Sequence, residues 1–186
     1  ADILALERTI INILQRMSGI ATATNNLQQK IGKSAQIAAT RKTHWGKLDK
    51  KAVSVGGGLT HRLSLGDEIL VKDNHIEILS KKNIDIKDIS DRLKGEFYEI
   101  EVESTGQLDN VLKYAHAENT IVLLDNFALG DAADVVSALK KKGFTIELSG
   151  GITEDNVIEY ARIGADILSV GSLTHSTRAL DMSLDI

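Results

Sequence analysis

At 186 residues the chain is long enough for one domain with a substantial single core. Its hydrophobic fraction of 42% and charged fraction of 26% suit a soluble globular domain, and neither a membrane-length apolar run nor a signal-peptide pattern is present, so a cytoplasmic protein is expected. Absence of cysteine excludes disulfides, thiolate metal sites and a cysteine nucleophile, while the net charge of −4 argues against a general nucleic-acid binder.

The first thirty residues read as helix. Ile3, Leu6, Ile10, Ile13, Leu14 and Met17 recur at helical spacing behind Asp2 as N-cap; Gly19 is expected to divide the stretch and Gly32 to end it. Beyond it the text repeats a short β-rich run, a polar or glycine-rich loop and a helical run. The predicted strands are Gln36–Thr40, Ile69–Lys72, Phe97–Glu103, Thr120–Leu124, Thr145–Leu148 and Ile167–Val170, with a weaker seventh at Met182–Ile186. Helices are predicted at Lys47–Val55, Gln107–Ala117, Ala132–Lys142 and Glu154–Ile163, the last capped by Thr153 and closed by Gly164. Between the first of these and His61, Gly56-Gly57-Gly58 reads as a sharp chain reversal rather than a phosphate cradle.

Repeated β-loop-α units imply parallel strands with right-handed crossovers. Runs such as IVLL and DILSV are apolar on both alternations, as strands covered on both faces should be. A doubly wound sheet and a barrel both fit; a full eight-unit barrel takes about 250 residues, so a barrel here is short or incomplete.

Each predicted strand runs into polar or glycine-rich residues at its C-terminal end. These are Thr40-Arg41-Lys42-Thr43, Lys72-Asp73-Asn74-His75, Glu103 after Glu99 and Glu101 on one alternation, Asp125-Asn126, Ser149-Gly150-Gly151 and Gly171-Ser172. Barrel enzymes place binding and catalytic groups on that face. The cations Arg41, Lys42, Lys47, Lys50, Lys51, His61, Arg62 and Lys72 crowd into residues 41–72. Such a run is commonly a solvated surface, but its strand-end placement points to an anion pocket. Arg41 and Arg62 offer planar forks for carboxylate or phosphate, Lys42 and Lys72 compact charges, and Glu101 with Asp125 suits ribose hydroxyls or a phosphate-held magnesium ion. The two glycine loops after the last strands suit a phosphate.

ERTIINILQRMSGIATAT at Glu7–Thr24, ATRKT at Ala39–Thr43, GGGLTHRLSLGDEILVKDNH at Gly56–His75, EIEVES at Glu99–Ser104, LLDN at Leu123–Asn126, ELSGGI at Glu147–Ile152 and SVGSLTHS at Ser169–Ser176 stand in the order of one family. In them the chain resembles quinolinate phosphoribosyltransferase, also called nicotinate-nucleotide pyrophosphorylase (carboxylating). The resemblance implies an incomplete, about seven-stranded TIM-like α/β barrel. It also implies transfer of phosphoribose from phosphoribosyl pyrophosphate to quinolinate, with release of pyrophosphate and carbon dioxide and with magnesium required. Carried over residue by residue, Arg8, Thr40, Arg41, Lys42, His61, Arg62 and Lys72 would form the pocket for the quinolinate carboxylates and the pyrophosphate. Glu101 and Asp125 would hold the ribose hydroxyls and, through pyrophosphate or water, the magnesium; with Lys72 they form the implied catalytic set. Ser149, Gly150, Gly151, Val170, Gly171 and Ser172 would bind the 5′-phosphate, with His175 close by.

The chain departs from the family's pattern in three places. Without the family's separate N-terminal domain, which packs over the neighbouring subunit's barrel in a homodimer or higher oligomer, turnover by this chain alone becomes a question. His44-Trp45-Gly46 stands where the family has a proline after TRKT, and Glu77–Lys94 is polar and poorly matched. Three alternatives compete: a molybdenum-linked ModD-type pyrophosphorylase, a Schiff-base aldolase using Lys72, and a barrel that binds phosphoribosyl ligands without turnover.

Overall fold

The computed structural model describes residues 2–43, 45–64 and 66–185; the side chains of Asp2, Ile3 and Leu4, and with them the expected cap, lie outside the described residues, as do His44 and Ile186. Its elements in chain order are α1 (Asp2–Ile31), β1 (Gln36–Ala38), α2 (Lys47–Val55), β2 (Ile69–Val71), α3 (Asp73–Ser80), α4 (Ile86–Arg92), β3 (Tyr98–Val102), α5 (Thr105–Tyr114), β4 (Thr120–Asp125), α6 (Leu129–Lys141), β5 (Thr145–Ser149), α7 (Val157–Arg162), β6 (Ile167–Ser169) and α8 (Ser172–His175). Their alternation builds one parallel sheet of order β1-β6-β5-β4-β3-β2. Chain-order neighbours pair from β2 to β6, and β1 then joins β6, the wrap-around of an incomplete TIM-like barrel.

Among the described residues six strands form rather than seven. Residues 182–185 carry no strand. The position beside β1 goes instead to Leu59, whose N–H donates to the Ile37 carbonyl at 2.7 Å and which makes a single parallel bridge with Ala38. Glycine-rich sequence on one side and His61-Arg62 on the other keep that bridge from extending.

The outer faces of the strands meet the helices through Ile37, Tyr98, Ile100, Val102, Val122, Leu124, Ile146, Leu148 and Leu168, all essentially excluded from solvent. Each such aliphatic side chain contributes about 1.5–3 kcal/mol of burial. Tyr98 also carries a hydroxyl 3.1 Å from Ser90 Oγ, which fixes α4 over β3.

Helix α1 is continuous, contrary to the expected division at Gly19. A Cβ on Gly19 would overlap the Arg178 carbonyl, so the glycine is a seat for the returning C-terminal segment, whose Leu180 N–H donates to Gln15 O at 3.1 Å. Gly56 and Gly58 have the same kind of cause. Their missing Cβ atoms let α2's end press against Ala21 and Thr24 of α1, and Gly57 (φ 89°) makes the reversal.

Helix α7 starts later than predicted, with Asn156 at its N-cap in place of Thr153. Asn156 Oδ1 accepts from Thr153 N at 2.7 Å and its Nδ2 donates to Gly151 O at 2.9 Å, holding 153–156 as a turn. The poorly matched polar segment folds as α3 and α4, and Asp85 accepts from Asp88 N at 3.0 Å to cap the latter.

Candidate active site

Parallel pairing puts residues in register on a shared face, and that register assembles the site. Leu70 pairs with Glu99, Glu101 with Leu123, Leu123 with Glu147, and Asp125 with Ser149, itself paired with Ser169. One cavity of about 640 Å³ opens where these strands end. Thr40, Arg41, Lys42, His61, Arg62, Lys72, Glu101, Asp125 and Ser149, all singled out in the sequence, line it. Five ionisable residues not assigned to the site join them: Lys50, Glu68, His75, Glu99 and Glu147.

At the mouth, Lys72 Nζ donates to Glu101 Oε2 at 2.6 Å, with Glu101 buried and the lysine half-exposed. Lys72 N–H also donates to His75 Nδ1 at 3.0 Å, which sets the turn into α3. Asp73 and Glu103 bring a carboxylate oxygen each to within 4.8 Å of Glu101's. Arg41 and Lys42 are exposed at the rim.

Deeper in, the barrel interior departs from the branched aliphatic layers usual in such folds. Lys50 is 3% exposed and its ammonium donates to the Ala39 carbonyl, with the His61 carbonyl at 3.4 Å. Burial pushes that ammonium down to about 8. His61 Nε2 is 2.9 Å from Glu147 Oε2, a close charge contact without an aligned hydrogen bond. Arg62, held at φ 56°, places Nη1 3.4 Å from Glu99 Oε2. Burial is the main cause that raises Glu99 to about 8, with the nearby Glu147 charge adding to it. Burial likewise raises Glu68. Burial is thus met in two ways, by pairing of opposite groups and by a Glu99 carboxyl that keeps its proton at neutral pH.

The glycine loops follow β5 and β6, and Ser149 is their one residue in the cavity lining. Gly150 (φ 93°) and Gly151 (φ 64°) take left-handed backbone, and a Cβ on Gly150 would overlap Asn126. His175 packs against Gly171, its Nε2 3.1 Å from where a Cβ would sit.

Seven residues carried over by resemblance do not line the cavity: Gly150, Gly151, Gly171, Ser172 and His175 on the loops, and Val170 and Arg8, which stand elsewhere. Val170 is fully buried and its N–H donates to Ala38 O at 2.9 Å, so that amide holds β6 to β1 and is not free for a phosphate. Arg8 lies on the exposed N-terminal end of α1 beside Leu6 and Ile10; its side chain is 72% exposed, 4.0 Å from Glu7, and outside the cavity. That end of α1 runs past the part that packs on the barrel.

Of the residues missed, Glu147 left a faint signal: it stands between Ile146 and Leu148 on the same alternation as Ser149, which puts it on the polar face of β5.

The family model described as "Quinolinate phosphoribosyl transferase, C-terminal domain" matches residues 20–185. A probable nicotinate-nucleotide pyrophosphorylase [carboxylating] of Methanocaldococcus jannaschii is 41% identical over 99% of this chain and 68% of its own length. The Mycobacterium leprae nicotinate-nucleotide pyrophosphorylase [carboxylating] is 40% identical over 99% of this chain and 66% of its own. Among solved structures, the nicotinate-nucleotide pyrophosphorylase of Francisella tularensis superimposes with a TM-score of 0.84 at 35% identity, covering 97% of this chain and 64% of that one. The chain thus spans about two thirds of the length of the proteins it matches. By these matches the chain belongs to the quinolinate phosphoribosyltransferase family.

Proposed function

We propose that the chain transfers phosphoribose from phosphoribosyl pyrophosphate to quinolinate with decarboxylation, giving nicotinate mononucleotide, pyrophosphate and carbon dioxide. The observation that carries this is one cavity in which a cationic set (Arg41, Lys42, His61, Arg62, Lys72) shares the walls with the acids Glu101 and Asp125 and with Ser149. The cations hold the quinolinate carboxylates and the departing pyrophosphate. Displacement at the anomeric carbon develops positive charge on the ribose, which Glu101 and Asp125 stabilise while they orient its hydroxyls. The Ser149–Gly151 and Gly171–Ser172 loops take the 5′-phosphate, with His175 beside them. Quinolinate bonded through its ring nitrogen then loses the adjacent carboxylate without a protein nucleophile. Positioning and preorganised charge supply the catalysis.

Magnesium fits the donor set, since Glu101 and Asp125, with Asp73 and Glu103 close to Glu101, offer the oxygen ligands it takes. When bound it would neutralise pyrophosphate as that group leaves. A Schiff-base role for Lys72 is disfavoured by its 2.6 Å contact with Glu101, which occupies its nitrogen. A homodimer or higher oligomer suits the exposed Leu6, Ile10 and Leu14 along one stretch of α1, next to Arg8.

The test incubates the chain with quinolinate, phosphoribosyl pyrophosphate and magnesium and follows nicotinate mononucleotide and carbon dioxide. Turnover that needs quinolinate is expected, and equal product from nicotinate would sink the assignment. Ligand binding without product would favour a barrel that binds phosphoribosyl ligands only.

A further inference from the structure

Glu147 has no part in the mechanism above, yet a cation of the pocket leans on it. Its side chain, 3% exposed, projects from β5 into the barrel at the level of Leu123 and Ile167, one inward-facing position below Ser149. There its Oε2 meets His61 Nε2 at 2.9 Å. The other ring nitrogen, Nδ1, is buried with no partner among the described residues, and so is Nε of the adjoining Arg62. Two unsatisfied nitrogens on consecutive residues of a cavity wall are a place for a ligand's acceptor atoms.

His61 lies in no helix or strand, so its backbone does little to fix the ring. A carboxylate 2.9 Å from one ring nitrogen attracts that edge of the imidazole by charge and turns the other N–H toward another acceptor. The charges facing the ring come from several elements: Lys50 on α2, Arg62 beside it, Glu68 ahead of β2, Glu99 on β3 and Glu147 on β5. Burial opposes protonation of the ring and Lys50 adds to that, but Glu147, supported by Glu99, outweighs both and raises His61 above the ordinary histidine range.

We infer that Glu147 is a positioning residue, which by pairing with His61 Nε2 fixes the ring and leaves Nδ1 as a donor for an anionic group of the substrate. The inference rests on the quinolinate reading only for the identity of that group.

Two measurements test it on the 186-residue chain and on its Glu147→Gln and Glu147→Asp variants. Histidine ring nitrogens are titrated by NMR, and quinolinate and phosphoribosyl pyrophosphate are titrated by calorimetry and in steady-state kinetics. In Glu147→Gln the His61 midpoint should fall by about one pH unit. Quinolinate affinity should drop about tenfold, and KM for quinolinate should change more than kcat, while phosphoribosyl pyrophosphate affinity holds. Glu147→Asp should recover part of both effects. An unmoved His61 midpoint in Glu147→Gln overturns the inference. Equal loss of both ligands and of melting temperature in the two variants would also overturn it, by showing a merely structural carboxylate. Should the unaltered chain fail to bind quinolinate while the midpoint still moves, the pairing is supported and the substrate assignment is what falls.

Discussion

Lys72 and Glu101 show how single residues here combine stability with function. Their 2.6 Å ion pair closes one side of the cavity mouth, with the carboxylate buried and the ammonium reaching solvent. Lys72→Met keeps the length of the side chain and removes its charge. It is expected to lower kcat about a hundredfold, measured as nicotinate mononucleotide formed at saturating substrates, and a loss below about fivefold would remove Lys72 from the catalytic set. Lys50 is a different case, because its ammonium is enclosed. Burial lowers it from the usual 10.5 to about 8; Glu147 works against that shift, and Arg62 and Arg41 add to it. Between those values the unfolded chain binds more protons than the folded one, so this group adds stability as pH rises across that window. The stability of the parent relative to Lys50→Met should therefore grow between about pH 8 and about pH 10 in urea melts, and a constant difference would contradict the enclosed, depressed ammonium.

Among the elements, the β-loop-α alternation was legible because strand and helix periods differ and each strand ends in turn residues. Helix Lys47–Val55 and the first residue of most strands stand where the pattern put them. What pattern reading missed came from tertiary packing. Gly19 looked like a break, but it serves close approach by residues 178–179, which no local signal reports. Thr153 looked like a cap, but Asn156 takes that position after a turn of its own. The cationic run and the acids at strand ends were visible as site residues, whereas Glu147 and Lys50 needed the register of β5 and the crossing of α2 to bring them inside. The Gly19 contact leads to a further prediction. Gly19→Ala should displace the C-terminal segment at a cost of about 1–3 kcal/mol and speed trypsin cleavage after Arg178, and unchanged cleavage would show that the seat is unnecessary.

The molecule as a whole is a barrel left unclosed, with its seam between the Leu59 bridge and β2. Stability should follow that seam. β4 and β5 are paired on both sides and almost wholly buried, whereas β2 is a three-residue edge strand with Ile69 41% exposed. Amide exchange should be slowest in β4 and β5 and fastest among strands in β2, and equal protection across the sheet would mean the seam closes in solution. A second cavity of about 560 Å³ is lined mainly by the segment between Leu59 and β2, with Phe97 and Ile121. His61, Arg62 and Glu68 border both cavities. The candidate pocket therefore shares a wall with a second hollow, and filling either one is expected to shift the side chains that border the other.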